Sequence, residues 1–429
     1  MRALLDLVAR HRAGEPVGIY SVCSAHPLVL RAALDHAAAT GGDALIEATS
    51  NQVNQDGGYT GLRPAGFRDL VWGMADEIGL PRGRVLLGGD HLGPNCWQAL
   101  PAEEAMRRAA VMIADYVGAG FRKIHLDCSM SCAGDPRGLS DAVIAERTAR
   151  LCATAEQAWH RAGGEAPVYI IGSEVPVPGG AQEALHELAV TDPEAAHATV
   201  AAHRAAFARH GLEAALERVV GLVVQPGVEF DNDRVVDYRP EKARALSASI
   251  EAQPGLVFEA HSTDYQTPEA LAALVRDHFA ILKVGPGVTF ALREALWALD
   301  RIEREWLGEA RSARLRETVL AAMQGDPAQW RKYYDGSGLA LELQLQYSLS
   351  DRIRYYWPVA AVSSAVERLF ASIDAGPPAS LLSQYLPGAY AAIRSGSLRP
   401  GARGLVIHHV RQTLAEYARA CDQRSAYAS

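Results

Sequence analysis

The stretch Arg84–Asn95, RVLLGGDHLGPN, decides how this chain is read. Arg84-Val85-Leu86-Leu87 is a short, bounded, branched apolar run of the kind that forms a fully buried strand. At its end the apolar side chains stop. A carboxylate, Asp90, and an imidazole, His91, stand side by side between glycines and a proline. Successive side chains on a strand point to opposite faces, so both can serve one site only if the strand has ended and the loop re-aims them. An acid beside a base at the mouth of a buried strand points to chemistry.

The same layout recurs along the chain. Apolar runs occur at Val17–Cys23, Ala44–Ala48, Val85–Leu87, Lys123–Leu126, Val168–Ile171, Val219–Val224, Leu256–Glu259 and Ile281–Val284. Amphipathic segments separate them. Glu103–Ala119 places Met106, Ala110, Ile113 and Val117 on one helical face. Asp192-Pro193 and Thr267-Pro268 are N-caps followed by proline at the first helical position. Eight strands alternating with helices predict an α/β fold with a parallel sheet and right-handed crossovers. Eight is also the number that closes a TIM (β/α)8 barrel. An open, doubly wound sheet is the competing arrangement, but no G-x-G-x-x-G follows the first run. The barrel is assigned to residues 1–305. Residues 306–429, rich in Leu, Ala, Arg and Tyr, are expected to form a helical extension packed on it.

Composition narrows the function classes. With 429 residues, 49% of them hydrophobic, the chain can bury a large core. A net charge of -8 and the absence of Lys/Arg clusters argue against nucleic-acid or anionic-membrane partners. The N-terminus is a short amphipathic helix pattern rather than a signal sequence, and no run reaches the roughly 20 apolar residues of a membrane span. Cys23, Cys96, Cys128, Cys132, Cys152 and Cys421 are scattered as reduced thiols would be in a cytoplasmic protein.

In a barrel of this type the site lies at the C-terminal ends of the strands. Polar residues stand at every one of those ends: Ser24 and His26; Glu47, Asn51, Gln52, Asn54 and Gln55; Asp90 and His91; Asp127 and Ser129; Ser173 and Glu174; Gln225 and Glu229; Glu259, His261, Ser262, Thr263 and Asp264; and Lys283 with Gly285. His91, Glu174 and His261 suit a divalent, zinc-type ion with an open position, and Asp90 suits a general base beside it. Ser262-Thr263 and Gly285-Pro286-Gly287 offer the glycine-lined helix start that commonly cradles phosphate in this fold. Asn51, Gln52, Gln225, Asp264 and Lys283 complete the expected substrate contacts.

These motifs resemble one family. IEATSNQVNQDGGYTG (46–61), LGGDHLGPNCW (87–97), AGFRKIHLDCSM (119–130), IGSEVPVPGG (171–180), VVQPGVEF (223–230), FEAHSTDYQT (258–267), LKVGPGVTFALREAL (282–296) and YSLSDRIRYYWP (347–358) are similar to the so-called non-catalytic (Z-type) subunits of class II D-tagatose-1,6-bisphosphate aldolase. The resemblance implies a TIM-barrel protein of bacterial galactitol or N-acetylgalactosamine catabolism that supports a separate zinc-dependent catalytic subunit. That enzyme cleaves tagatose 1,6-bisphosphate to two triose phosphates. More distantly, the catalytic class II aldolases pair an Asp-His base and ligand with a later Glu and two further His. Asp90, His91, Glu174 and His261 match those places, whereas Gln225 stands where a ligand histidine is expected. Either the missing imidazole weakens zinc binding, as a non-catalytic subunit would imply, or Glu174, or Asp127 as a further catalytic carboxylate, fills the gap and the chain holds metal unaided. Similar proteins have been called tagatose 6-phosphate kinases. The chain has no Walker-type loop, so phosphoryl transfer is set aside.

Ser350–Trp357 is the most distinctive part of the extension. Asp351 or its two arginines can reach the pocket, bind phosphate or form a buried ion pair, and such aromatic–arginine surfaces favour an oligomer. Two functions follow. One is an aldolase subunit needed by a catalytic partner. The other is a self-sufficient metal-dependent ketose phosphate aldolase or C4-epimerase.

Overall fold

A computed structural model describes residues 1–173 and 188–422. Each apolar run is too short for a helix and becomes a strand: β1 (Ile19–Val22), β2 (Ala44–Thr49), β3 (Val85–Leu92), β4 (Lys123–Leu126), β5 (Val168–Ile171), β6 (Val219–Val224), β7 (Val257–Ala260) and β8 (Ile281–Val284). All pair in parallel with their sequence neighbours, and β8 pairs with β1 to close a barrel. The helices Pro27–Thr40, Pro64–Ile78, Ala102–Gly118, Asp141–Ala162, Pro193–Arg209, Pro240–Ser249, Pro268–Arg276 and Pro286–Leu307 follow the strands in turn. Proline at N1, where no amide hydrogen is needed, starts most of them. Asp192 and Thr267 cap theirs as the sequence predicts, accepting from the amides of Glu194 and Ala270.

Alternation along each strand sorts the side chains. Ile46, Leu87, Ile124, Phe258 and Leu282 point outward into the layer between barrel and helices. Ile19, Leu45, Leu86, Val168, Val257 and Ile281 fill the barrel floor, closed from below by Met1, Leu4 and Val8 of the N-terminal helix Arg2–Arg12. Continuing inward at the same parity, Glu47, Lys123, Glu259 and Lys283 lie above that floor.

Strand three does not end where the sequence suggested. β3 runs through Asp90 and His91 to Leu92, and its register against β4 shifts between Gly89 and Leu92. His91 sits at that bulge with φ 48°. The extra residue re-aims the imidazole, so strand and site coexist. Two glycines make this possible. A Cβ on Gly88 would lie 2.7 Å from Glu47 Cγ, and one on Gly93 would lie 1.6 Å from the Asp127 carbonyl oxygen.

From Leu307 to Asp422 the described residues are mainly helical. The last helix, Ala402–Cys421, packs against Pro27–Thr40, Pro268–Arg276 and Pro286–Leu307. Segment 348–355 crosses to the barrel mouth. Asp351 is buried and accepts from Thr289 Oγ1 (2.6 Å) and Arg293 Nε (3.2 Å). Tyr265 Oη donates to the Leu349 carbonyl at 2.6 Å. Among the described residues, no helix is long and apolar enough to cross a membrane.

Candidate active site

The charged layer inside the barrel is the base on which the site stands. Lys123 Nζ lies 2.6 Å from Glu47 and 2.7 Å from Glu259, all three fully buried. Lys283 Nζ lies 2.5 Å from Glu47, 2.8 Å from Asp90 and 3.8 Å from Glu259. Burial favours a neutral amine, but the surrounding carboxylates, Asp90 foremost, hold the Lys283 pKa well above its ordinary value. Lys283 is thus an ammonium, and an ammonium cannot add to a carbonyl as an imine-forming nucleophile.

Above this layer three imidazoles converge. The ring centroids of His91, His125 and His261 are 5.1, 5.0 and 5.1 Å apart taken pairwise. Each is held from behind. His91 Nδ1 donates to Asp127 Oδ2 at 2.7 Å, and Asp127 Oδ1 accepts from the Ser129 amide (3.0 Å) and hydroxyl (2.6 Å). His261 Nε2 meets Glu259 Oε1 at 2.9 Å. His125 Nδ1 accepts the His91 amide at 3.1 Å, while its Nε2 is buried with no hydrogen-bond partner among the described residues. Burial pushes the His261 pKa down to about 3, so this ring is neutral and able to ligate. Burial also opposes charge on His91, but Asp90 and Asp127 outweigh it and raise its pKa.

Asp90 completes the group. One oxygen accepts from Thr49 Oγ1 at 2.8 Å, and the other pairs with Lys283. Burial raises its pKa, but His91 and Lys283 more than offset this, and the carboxyl stays ionised. Asp90, His125 and His261 each offer a ligand atom within 4.8 Å of the others. Two imidazoles, one of them backed by Glu259, beside an ionised carboxylate are donor types that suit a divalent cation.

The remaining expected residues divide into two groups. Asn51, Gln52, Ser262, Asp264, Lys283 and Gly285 line one cavity with Asp90, His91 and His261. Within it, Asp264 Oδ1 accepts the amides of Gly285 (2.9 Å) and Gly287 (2.7 Å), so the glycine-lined helix start already holds a carboxylate. Gln52 bridges the Thr49 amide and the Cys23 carbonyl. Thr263 turns outward, its hydroxyl donating to the Lys283 carbonyl at 2.6 Å and its own carbonyl accepting from Tyr417. Gln225 uses its carbonyl on the amides of Gly227 (2.8 Å) and Val228 (2.9 Å), fastening the loop after β6. Glu174 lies outside the described residues.

His125 is the residue that the sequence reading passed over, because it lies inside the apolar run Lys123–Leu126. Its signal is parity: in KIHL the two polar residues are two apart and share the inward face. Arg354 and Tyr355, from the extension, also line the cavity.

The family model described as D-tagatose-1,6-bisphosphate aldolase subunit GatZ/KbaZ-like matches residues 4–422. Among solved structures, the chain is similar to a probable tagatose 6 phosphate kinase from Sinorhizobium meliloti 1021. The two are 52% identical over 94% of this chain and 100% of that one, with a TM-score of 0.87. It is similar in fold alone to the glycerol-complexed fructuronate-tagaturonate epimerase UxaE from Cohnella laeviribosi. There the identity is 12% over 94% of this chain and 82% of that one, with a TM-score of 0.50.

Proposed function

Given that the chain belongs to the D-tagatose-1,6-bisphosphate aldolase subunit GatZ/KbaZ-like family, we propose that it carries out a retro-aldol step on a phosphorylated ketose. The step uses a divalent cation, zinc in the first instance, at the barrel mouth. The observation that carries this reading is the buried cluster of His91, His125 and His261 beside Asp90. Gln225 stands where a third ligand histidine was expected. On this reading His125, from β4, takes that place, and Glu174 remains a further candidate ligand or acid from the loop after β5.

When bound, such a cation supplies Lewis acidity to the ketose carbonyl. The chain's own residues do the rest. Asp127 and Glu259 fix the orientation of the His91 and His261 rings. Lys283 keeps Asp90 ionised at the edge of the cavity. Asn51, Ser262 and Phe230 face the space where the sugar would lie. Breaking C3–C4 gives two triose phosphates from a bisphosphate. Re-adding the aldehyde by its other face gives the C4 epimer. All six cysteines are unpaired, in keeping with a cytoplasmic setting.

A second reading is a subunit that supports a catalytic partner, and it is favoured by the loss of an imidazole at Gln225. Elemental analysis and a coupled aldolase assay on the isolated chain separate the two. Bound metal, with turnover abolished by His91→Ala, supports the independent enzyme. No metal and no turnover until a catalytic subunit is added overturns it.

A further inference from the structure

The proposed retro-aldol step needs a group that takes a hydroxyl proton and gives it back, and the carboxylates described at the cavity are already committed. Asp90 is paired with Lys283 and Thr49, Asp127 with His91 and Ser129, and Asp264 with two backbone amides. The extension offers a different group. Tyr355 lines the cavity, and its hydroxyl oxygen accepts from Asn51 Nδ2 and from Arg354 Nη2, each at 3.3 Å. Among the described residues no acceptor meets its own hydrogen. The guanidinium carbons of Arg352 and Arg354 lie 4.4 and 4.7 Å from its ring centroid.

Two donors and two cations aimed at one phenol favour its ionised form. Burial raises the Tyr355 pKa, but Arg352 and Arg354 outweigh it and bring the pKa down to about 8. Tyr59 packs edge-on at 4.6 Å and goes the other way, raised by burial with the Tyr355 charge beside it. Arg354 also interacts electrostatically with Asp264, which lines the same cavity, and with Asp351. Asp351 accepts from Arg293, which holds the segment in place, and its backbone carbonyl accepts from Arg354 Nη1 at 3.0 Å.

We propose that Tyr355 is the proton-transfer residue of the reaction, supplied to the barrel by the C-terminal extension. This role rests on the retro-aldol reading. As phenolate, Tyr355 takes the proton of the ketose C4 hydroxyl. The O–H electron pair forms the C4=O bond, and the C3–C4 pair moves through C2 onto the carbonyl oxygen, leaving an aldehyde and an enediolate. For net cleavage the phenol's proton passes to C3. For epimerisation C3–C4 re-forms on the aldehyde's other face and the proton returns to O4. Either route restores the phenolate.

The test is Tyr355→Phe in the full chain loaded with zinc, with D-tagatose 1,6-bisphosphate as substrate. This change keeps the ring under both guanidinium groups and removes only the hydroxyl. The expected result is a fall in kcat of about 10²–10⁴-fold with KM nearly unchanged, together with loss of the pH–rate inflection near 8. A 295 nm titration of the metal-free chain should show one tyrosinate forming near pH 8, ahead of the others, and absent from the variant. Wild-type kcat in Tyr355→Phe, or no tyrosinate below pH 9, overturns the assignment and leaves the retro-aldol reading standing. No turnover by the wild-type chain with any divalent metal, alone or with a catalytic subunit, overturns both.

Discussion

Replacing Lys123 with methionine isolates the charged layer beneath the site. The change keeps the unbranched stem and removes one ammonium from between two fully buried carboxylates, Glu47 at 2.6 Å and Glu259 at 2.7 Å. Among Glu47, Glu259, Asp90, Lys123 and Lys283 the formal charge goes from three negative against two positive to three against one. Lys283 cannot compensate, because it already contacts Glu47, Asp90 and Glu259. Leaving a buried charge without its partner costs about 3–5 kcal/mol. With an unfolding entropy of about 2.1 cal/mol/K per residue, the 429-residue chain should lose roughly 3–6 °C in Tm.

The pH dependence gives the sign. Burial opposes the Glu259 charge, but Lys123 and Lys283 hold its pKa well below the ordinary 4.5. A depressed folded pKa contributes stability that is present above the unfolded value and lost as pH falls through the folded one. The deficit of Lys123→Met is therefore fully present at pH 7 and shrinks toward pH 4, where Glu259 of the variant regains a proton. Scanning calorimetry of the wild type, Lys123→Met and Lys123→Met/Glu259→Gln measures this. The double variant should recover part of the lost Tm, because the stranded charge is gone. A Tm within 1 °C of wild type, or no recovery in the double variant, would refute the argument that this network is held by charge pairing.

Three further outcomes are expected. Asp127→Asn removes the charged acceptor behind His91 and turns an amide toward the Ser129 donors. Zinc affinity, measured by chelator competition, should fall about 10–100-fold, and unchanged affinity would remove Asp127 from the site's support. His125→Ala should weaken zinc by more than that outer-shell loss, with circular dichroism unchanged. Full metal retention would exclude His125 as a ligand. Burial raises the Glu229 pKa to about 7, so the native state holds a proton that the unfolded chain releases near 4.5. Stability therefore falls as pH rises through that window. Glu229→Gln should gain Tm over wild type at pH 8 and little at pH 5, and a pH-independent difference would contradict the raised pKa.

Local pattern alone determined the barrel. Eight short branched runs separated by capped, proline-started helices are satisfied by a closed parallel sheet, and helix starts such as Asp192-Pro193 and Thr267-Pro268 are encoded within a few residues. Asp90, His91 and His261 were also legible, because polar side chains at strand ends interrupt an apolar pattern. His125 was not, since one imidazole within KIHL carries no mark of what stands across the barrel. Its place in the cluster comes from β3 and β7 bringing His91 and His261 about 5 Å away. The outward turn of Thr263, the carboxylate at the Gly285 amide and the reach of Tyr355 into the cavity are likewise tertiary facts. They follow from backbone angles and from contacts between residues up to 304 positions apart. A sequence records which groups are present. Only packing decides which of them are already satisfied, and the groups left unsatisfied are the ones free to do chemistry.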